Sequence, residues 1–140
     1  MYDREHIDLA LYRMSRAEEA LTDAQDALKQ GKYTNAANRS YYAFFHAARA
    51  LFALEAKDFK KHSGVIASFH KDYVKTGVFA VELGKNLQSA FNLRSQSDYR
   101  DFYIVSKEKV SVQVSNAETF VETVKRHLLS LIASAENSDG

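Results

Sequence analysis

The chain has 140 residues, 46% of them hydrophobic and 26% charged, with a net charge of +1. That is enough length for one sizeable core, too apolar a composition for disorder, and too neutral a chain to bind nucleic acid as a polycation. Cysteine and proline are absent and glycine occurs five times, which excludes disulfides, thiolate nucleophiles and cysteine zinc sites, fits a cytoplasmic protein, and favours long helices over a tightly turned sheet.

Residues 3–30 form the first predicted helix, with Leu9, Met14, Ala17, Leu21, Ala24 and Leu28 at helical spacing and Gly31 as its stop. The N-terminal stretch MYDREHIDLALYR is charged and periodic, without a signal-peptide core, and no apolar run in the chain is long enough to span a membrane. A second helix covers 33–56, with Thr34 as expected N-cap; the short link predicts an antiparallel hairpin of the first two helices. A charged connector, KDFKKH, occupies 57–62. A third helix follows over 63–76 with Ser63 as cap and Gly77 as stop, and a fourth runs from Ala80 to Ser95. Residues 95–105 mix polar turn formers with Tyr99, Phe102 and Tyr103 and predict a structured loop. The last helix spans 107–135; its start, Val110 to Val114, alternates like a strand, but the longer window fits a 3.6-residue period. Residues 1–135 are thus expected to make one all-α domain, with 136–140 a fraying tail.

The second helix carries the candidate chemistry. Stepping about 100° per residue from Arg39 gathers Tyr41, Phe44, Ala48, Leu51 and Phe52 on one side, an apolar and aromatic stripe suited to the core. Asn35, Arg39, Tyr42 and His46 gather on the other. Arg39 and His46 are seven residues apart, about 10 Å between Cα atoms, so both can reach one phosphate-sized group. Arginine supplies a fixed cation with a planar fork of donors, and histidine can take and give a proton near neutral pH. Cleaving RNA through the ribose 2′-hydroxyl uses those two functions and no metal. The same spacing also suits a plain solvated face. Ala36, Ala43, Ala47 and Ala50 flank the Arg39–His46 line. They would admit a helix of a second copy carrying its own pair, although alanine's helix propensity accounts for them too.

Three blocks in order, NRSYYAFFHAARALF, KKHSGVIASFHKDYVKTG and LRSQSDYRDF, make this sequence similar to stand-alone HEPN domains (higher eukaryotes and prokaryotes nucleotide-binding) over about residues 5–130. It resembles most the small prokaryotic members encoded beside a minimal nucleotidyltransferase. The resemblance implies an up-and-down bundle of four or five helices that homodimerises. It also implies the family's Arg-x(4–6)-His signature, used by active members for metal-independent RNA cleavage across the dimer seam, here Arg39 and His46 around SYYAFF. Active members often have a polar residue after the Arg; here that place holds Ser40, with Asn38 as the alternative polar helper. On this resemblance the protein is expected to be an endoribonuclease and the toxin half of a toxin–antitoxin pair, acting on RNA such as tRNA or mRNA. The alternative, since many members have lost catalysis, is a non-catalytic dimer that binds nucleotide or substrate for a partner nucleotidyltransferase. In some relatives that partner adenylylates a tyrosine in or beside the motif; the acceptors available here are Tyr42, on the polar face, and Tyr41, turned to the core.

Elsewhere, Lys57, Lys60 and Lys61, with His62 and Lys71 nearby, form a local basic patch that either touches RNA phosphate or is a solvated connector. His6, His62 and His70 lack metal-site spacing, so no metal or cofactor is expected, and His62 is expected to shape the turn at its helix start. Arg94 and Asp98 are expected to pair and close the loop onto the bundle, with assistance to the active groove as the second reading. Neither a phosphate-binding glycine loop nor a nucleotidyltransferase site occurs, so that activity would belong to the partner chain.

Overall fold

The computed structural model describes residues 2–99 and 104–138, with the side chains of 98, 99 and 138 excepted. Five α-helices and no strands occur among the described residues: α1 (Arg4–Lys29), α2 (Tyr33–Leu54), α3 (His62–Phe69), α4 (Val81–Tyr99) and α5 (Lys107–Ser138). None of them is long and apolar enough to cross a membrane.

The link between α1 and α2 is built by glycine. Gly31 sits at φ +73°, Lys32 donates its N–H to Ala27 O and Gly31 donates to Leu28 O. This is the Schellman stop, in which a left-handed residue lets the chain reverse while the last carbonyls of the helix stay bonded. The stop delivers Lys32 straight to the start of α2, whose first bond runs from Ala36 N–H to Lys32 O. The helix therefore begins at Tyr33, and Thr34 lies inside it instead of capping it. Likewise α3 begins at His62, one residue before the expected cap Ser63. It passes without a break into a π turn, His70–Val74, before Gly77 at φ +82° ends it. Helix α4 runs four residues beyond Ser95, so the first part of the expected loop is helical. Residues 100–103 of that loop, with Phe102 and Tyr103, lie outside the described residues, and it ends with Ile104 exposed and Val105 buried. Helix α5 is regular through Val110–Val114 and runs to Ser138, and 139–140 lie outside the described residues.

Helix α2 is the axis of the bundle and packs against all four other helices. Tyr41, Phe44, Leu51, Phe52 and Leu54 are fully or almost fully buried, and Phe44 meets Phe120 of α5 with ring centres 4.8 Å apart. The alanine line is used differently from expectation. Ala36, Ala43, Ala47 and Ala50 are 0% exposed, packed in the same clusters as Ala10, Ala17, Ala20, Ala24 and Ala27 of α1. Small residues on both sides let two backbones of one chain approach closely, so this strip is closed within the protomer and does not face a second copy.

Candidate active site

On α2 the predicted polar face forms a row of side chains. The Arg39 guanidinium carbon lies 5.1 Å from the centre of the Tyr42 ring, and the Tyr42 ring lies 5.7 Å from the His46 imidazole. Asn38 holds the first member: its Oδ1 accepts from Arg39 Nε (3.2 Å) and from Arg39 Nη2 (2.9 Å). Asn35 and Asn38, with Arg39, also line a cleft of about 370 Å³ against Asp23 and Asp26 of α1. Ser40 is no part of this face. It is 0% exposed, its hydroxyl donates to Ala36 O at 2.6 Å, and its oxygen accepts from Gln113 Nε2 of α5 at 2.7 Å. The polar residue after Arg39 is therefore a buried clamp between α2 and α5, and Asn38 is the polar neighbour of the arginine.

His46 is half-buried and its pKa is pushed down to about 4. Burial is the larger cause; Arg16, Arg49, Arg39 and Arg13 supply the rest by charge. At neutral pH the imidazole is uncharged and can accept a proton. Sequence reading missed three of these four arginines, although each left a signal. Arg49 falls at about 280° on the wheel that places Arg39 at zero, beside Tyr42 at about 300°. Arg13 and Arg16 follow from the hairpin. With α1 ending at residue 29 and α2 starting at 33, residues whose numbers total about 62 stand opposite each other, which sets Arg13 against Arg49 and Arg16 against His46. The contact is present: Arg13 Nη1 donates to Arg49 O at 3.4 Å.

Arg94 of α4 completes the wall. Its guanidinium carbon lies 5.5 Å from the ring centres of both Tyr41 and Tyr42, and its Nη2 donates to the Tyr42 hydroxyl at 3.4 Å. It stands beside Tyr42 of the row on α2; the side chain of Asp98, its expected partner, lies outside the described residues, as does that of Tyr99. Tyr41 is 0% exposed, and its hydroxyl, kept protonated by burial, shares a hydrogen bond of 2.7 Å with His62 Nδ1. His62 in turn stacks on Phe45 with centres 4.2 Å apart. It does more than shape a turn: it closes the aromatic layer behind Tyr42, and burial pulls its pKa down. Of the two tyrosines, only Tyr42 reaches the surface.

The basic patch is looser. Lys60 and Lys61 are exposed on the connector, while Lys57 pairs with Glu55 (3.3 Å) and Asp72 (3.5 Å), so its charge is balanced. Among the described residues no group of three or more His, Asp or Glu side chains is placed to hold a metal ion.

A family model described as the HEPN domain matches residues 10–127. Among similar proteins, a UPF0332 protein of Thermotoga maritima is 37% identical over 115 residues, 82% of this chain and 87% of that one. Two proteins of Methanocaldococcus jannaschii carry the names "Putative toxin MJ0142" and "Putative toxin MJ0605". They are 30% and 34% identical over 127 and 116 residues, covering 90% and 83% of this chain and 86% of each of theirs.

Proposed function

Since this chain belongs to the HEPN domain family, we propose that it is a metal-independent RNA endonuclease, the toxin half of a pair whose other half is a minimal nucleotidyltransferase. In this reading residues 1–135 act as one domain and two copies pair around a groove lined by Arg39, Tyr42 and His46. The observation that carries it is the row Arg39–Tyr42–His46 with an imidazole left unprotonated at neutral pH by burial and by its arginine neighbours. A base must be unprotonated to work, and burial with the arginine charge keeps this one so at neutral pH while making it a weaker base. Two relatives with toxin in their names support the biological half of the reading.

The chemistry is transesterification. His46 takes the proton of a ribose 2′-hydroxyl, and the 2′-oxygen attacks the adjacent phosphorus. The bond from phosphorus to the 5′-oxygen breaks, and that oxygen takes a proton from His46 of the second copy. The products are a 2′,3′-cyclic phosphate and a 5′-hydroxyl. Arg39, held by Asn38, meets the charge that builds on the phosphoryl oxygens. The donor His46 needs a higher pKa than the free groove gives it; a bound phosphate supplies this by cancelling part of the arginine charge around the ring. Tyr42, the surface tyrosine of the motif, is the acceptor for an adenylyl group from the partner enzyme. Adenylylation there would place a phosphate in the groove and block it. Lys60 and Lys61, exposed on the connector, add contacts to the RNA backbone in this reading.

The test is cleavage of total RNA and of tRNA in EDTA by the purified protein, beside Arg39→Ala and His46→Ala. The expected result is cleavage that survives chelation, leaves cyclic phosphate ends and is lost in both variants. Cleavage with the same products by folded His46→Ala, or none by folded, unmodified wild type, would overturn the reading.

A further inference from the structure

The arginines beyond Arg39 form a charged cluster of their own. Arg13 and Arg49 have side chains only 14% and 24% exposed, and they share one counter-charge, Asp58, on the connector between α2 and α3. Arg49 Nη2 donates to Asp58 Oδ1 at 3.2 Å, and Arg13 Nη2 stands 3.6 Å from Oδ2. Arg16, one turn along α1 from Arg13, adds a further cation; its Nε lies 3.8 Å from Glu19 Oε2 and its Nη1 donates to the Tyr12 hydroxyl. Arg49 Nε is buried without a hydrogen-bond partner, while the guanidinium rests 5.4 Å from the Phe45 ring centre. Like charges at this spacing repel, and a buried donor left unmade costs free energy. One carboxylate that is itself 62% exposed does not balance two guanidinium groups this well buried. Apart from these arginines, the exposed Asp58 carboxylate accepts from the N–H of Phe59, within its own connector.

Two arginines gripping one carboxylate from two helices is the geometry that grips a phosphate. The cluster begins one helical turn past His46, on the continuation of the Arg39–Tyr42–His46 row. We propose that Arg13, Arg16 and Arg49 form a second phosphate subsite beside the groove, which takes a backbone phosphate of the RNA next to the scissile one, and that Asp58 occupies it in the free protein until the RNA displaces it. The inference rests on the reading of the groove as an RNA site and adds to it the part of the strand that is held without being cut. Positioning by this subsite keeps the strand in register over His46 and makes a short single phosphate a poor substitute for a chain.

Binding separates this from catalysis. A 2′-O-methyl oligonucleotide cannot be cleaved by the proposed route, so its affinity reads binding without turnover, and the difference between wild type and each variant reads the subsite. It would be titrated into wild type, Asp58→Asn, Arg13→Gln and Arg49→Gln over a range of salt, with inorganic phosphate as a second ligand. Asp58→Asn keeps the side-chain acceptor for the Phe59 N–H and removes the competing charge, so it should bind the oligonucleotide about 3- to 10-fold tighter. Each arginine variant should bind it about 5- to 30-fold more weakly, with the slope of log affinity on log salt reduced by about 0.7, the value for one single-strand phosphate contact. Unchanged or weaker binding by Asp58→Asn, together with unchanged salt slopes in the arginine variants, would overturn the subsite. Asp58-sensitive binding of inorganic phosphate with no such effect on the oligonucleotide would overturn the assignment to RNA. Should the binding pattern appear in a protein that cuts nothing, the subsite stands and the nuclease reading falls; if cleavage occurs while the arginine variants bind as wild type, the reverse holds.

Discussion

His46 ties function and stability to one proton. Its folded pKa, about 4, lies below the ordinary histidine value near 6.5. Between those two pH values the unfolded chain binds a proton at this residue and the folded chain does not. Stability is therefore fully present above 6.5, declines as pH falls through the window, and has lost this contribution below 4. The ring is only half-buried, so after a discount for solvent screening the effect is about 1–2 kcal/mol. Urea unfolding of wild type and His46→Gln at pH 4.5 and 7 checks it: the stability difference between the two pH values should be smaller in the variant by about that amount. Activity should carry the same signature, since the base must be unprotonated. The acid limb of kcat/KM should have its midpoint near 4, and a midpoint at 6.5 would remove both burial and the arginine charge as causes of the shift. At this scale the helical period was enough to find Arg39, Tyr42 and His46, because one helix fixes their relation. It could not assign Ser40, which sits about 100° round the helix from Arg39, because its partner Gln113 lies 73 residues away in α5. Removing that partner's acceptor with Ser40→Ala should cost about 1–3 kcal/mol in unfolding free energy, as expected for a buried amide left short of a bond.

Between residues and the whole molecule, the helix ends decide how the elements meet. Helices α1 and α2 end in the same Schellman geometry. In α2, Lys57 N–H bonds Phe52 O and Ala56 N–H bonds Ala53 O, but the left-handed residue is Ala56 at φ +61°. A Cβ is strained there, so Ala56→Gly should stabilise the protein by about 0.5–1 kcal/mol, read as a rise of roughly 2–4 °C in Tm. Gly84 presents the opposite case. A Cβ on it would meet the His70 ring at 2.6 Å and Val74 Cγ2 at 3.0 Å. The glycine lets α4 lie close on the π turn. Gly84→Ala should therefore destabilise by about 1–3 kcal/mol despite alanine's better helix propensity. In a His70→Ala background the same change should cost much less, and the non-additivity measured by that double-mutant cycle identifies the contact. These two residues also mark what the sequence could reveal at this scale. Gly31 and Gly77 announce their stops by type. The stop at Ala56 is silent, and the third helix shows no local sign of its π turn, whose His70 and Val74 pack closely on Gly84 of α4.

The whole molecule is where the alanine line changes the argument. Sequence period alone put Ala36, Ala43, Ala47 and Ala50 beside the Arg39–His46 line and offered them to a second copy; the structure spends that strip on α1. Close approach through small residues is satisfied inside one chain, and periodicity cannot tell an internal neighbour from an external one. The proposed dimer must then meet across the rim of the groove, with Arg39, Tyr42 and Arg94 at its edge and only partly buried. A seam of that kind makes a stoichiometric prediction. If one cut uses His46 of both copies, as base and as acid, then wild type unfolded and refolded together with His46→Ala should lose activity as the square of the wild-type fraction. An equal mixture would keep about a quarter of the activity, because two-fold pairing at random leaves one dimer in four with both rings. If each copy cuts alone, the equal mixture keeps half. Light scattering on the same samples fixes the dimer fraction, so a linear dependence in a fully dimeric mixture would place both proton transfers within a single chain.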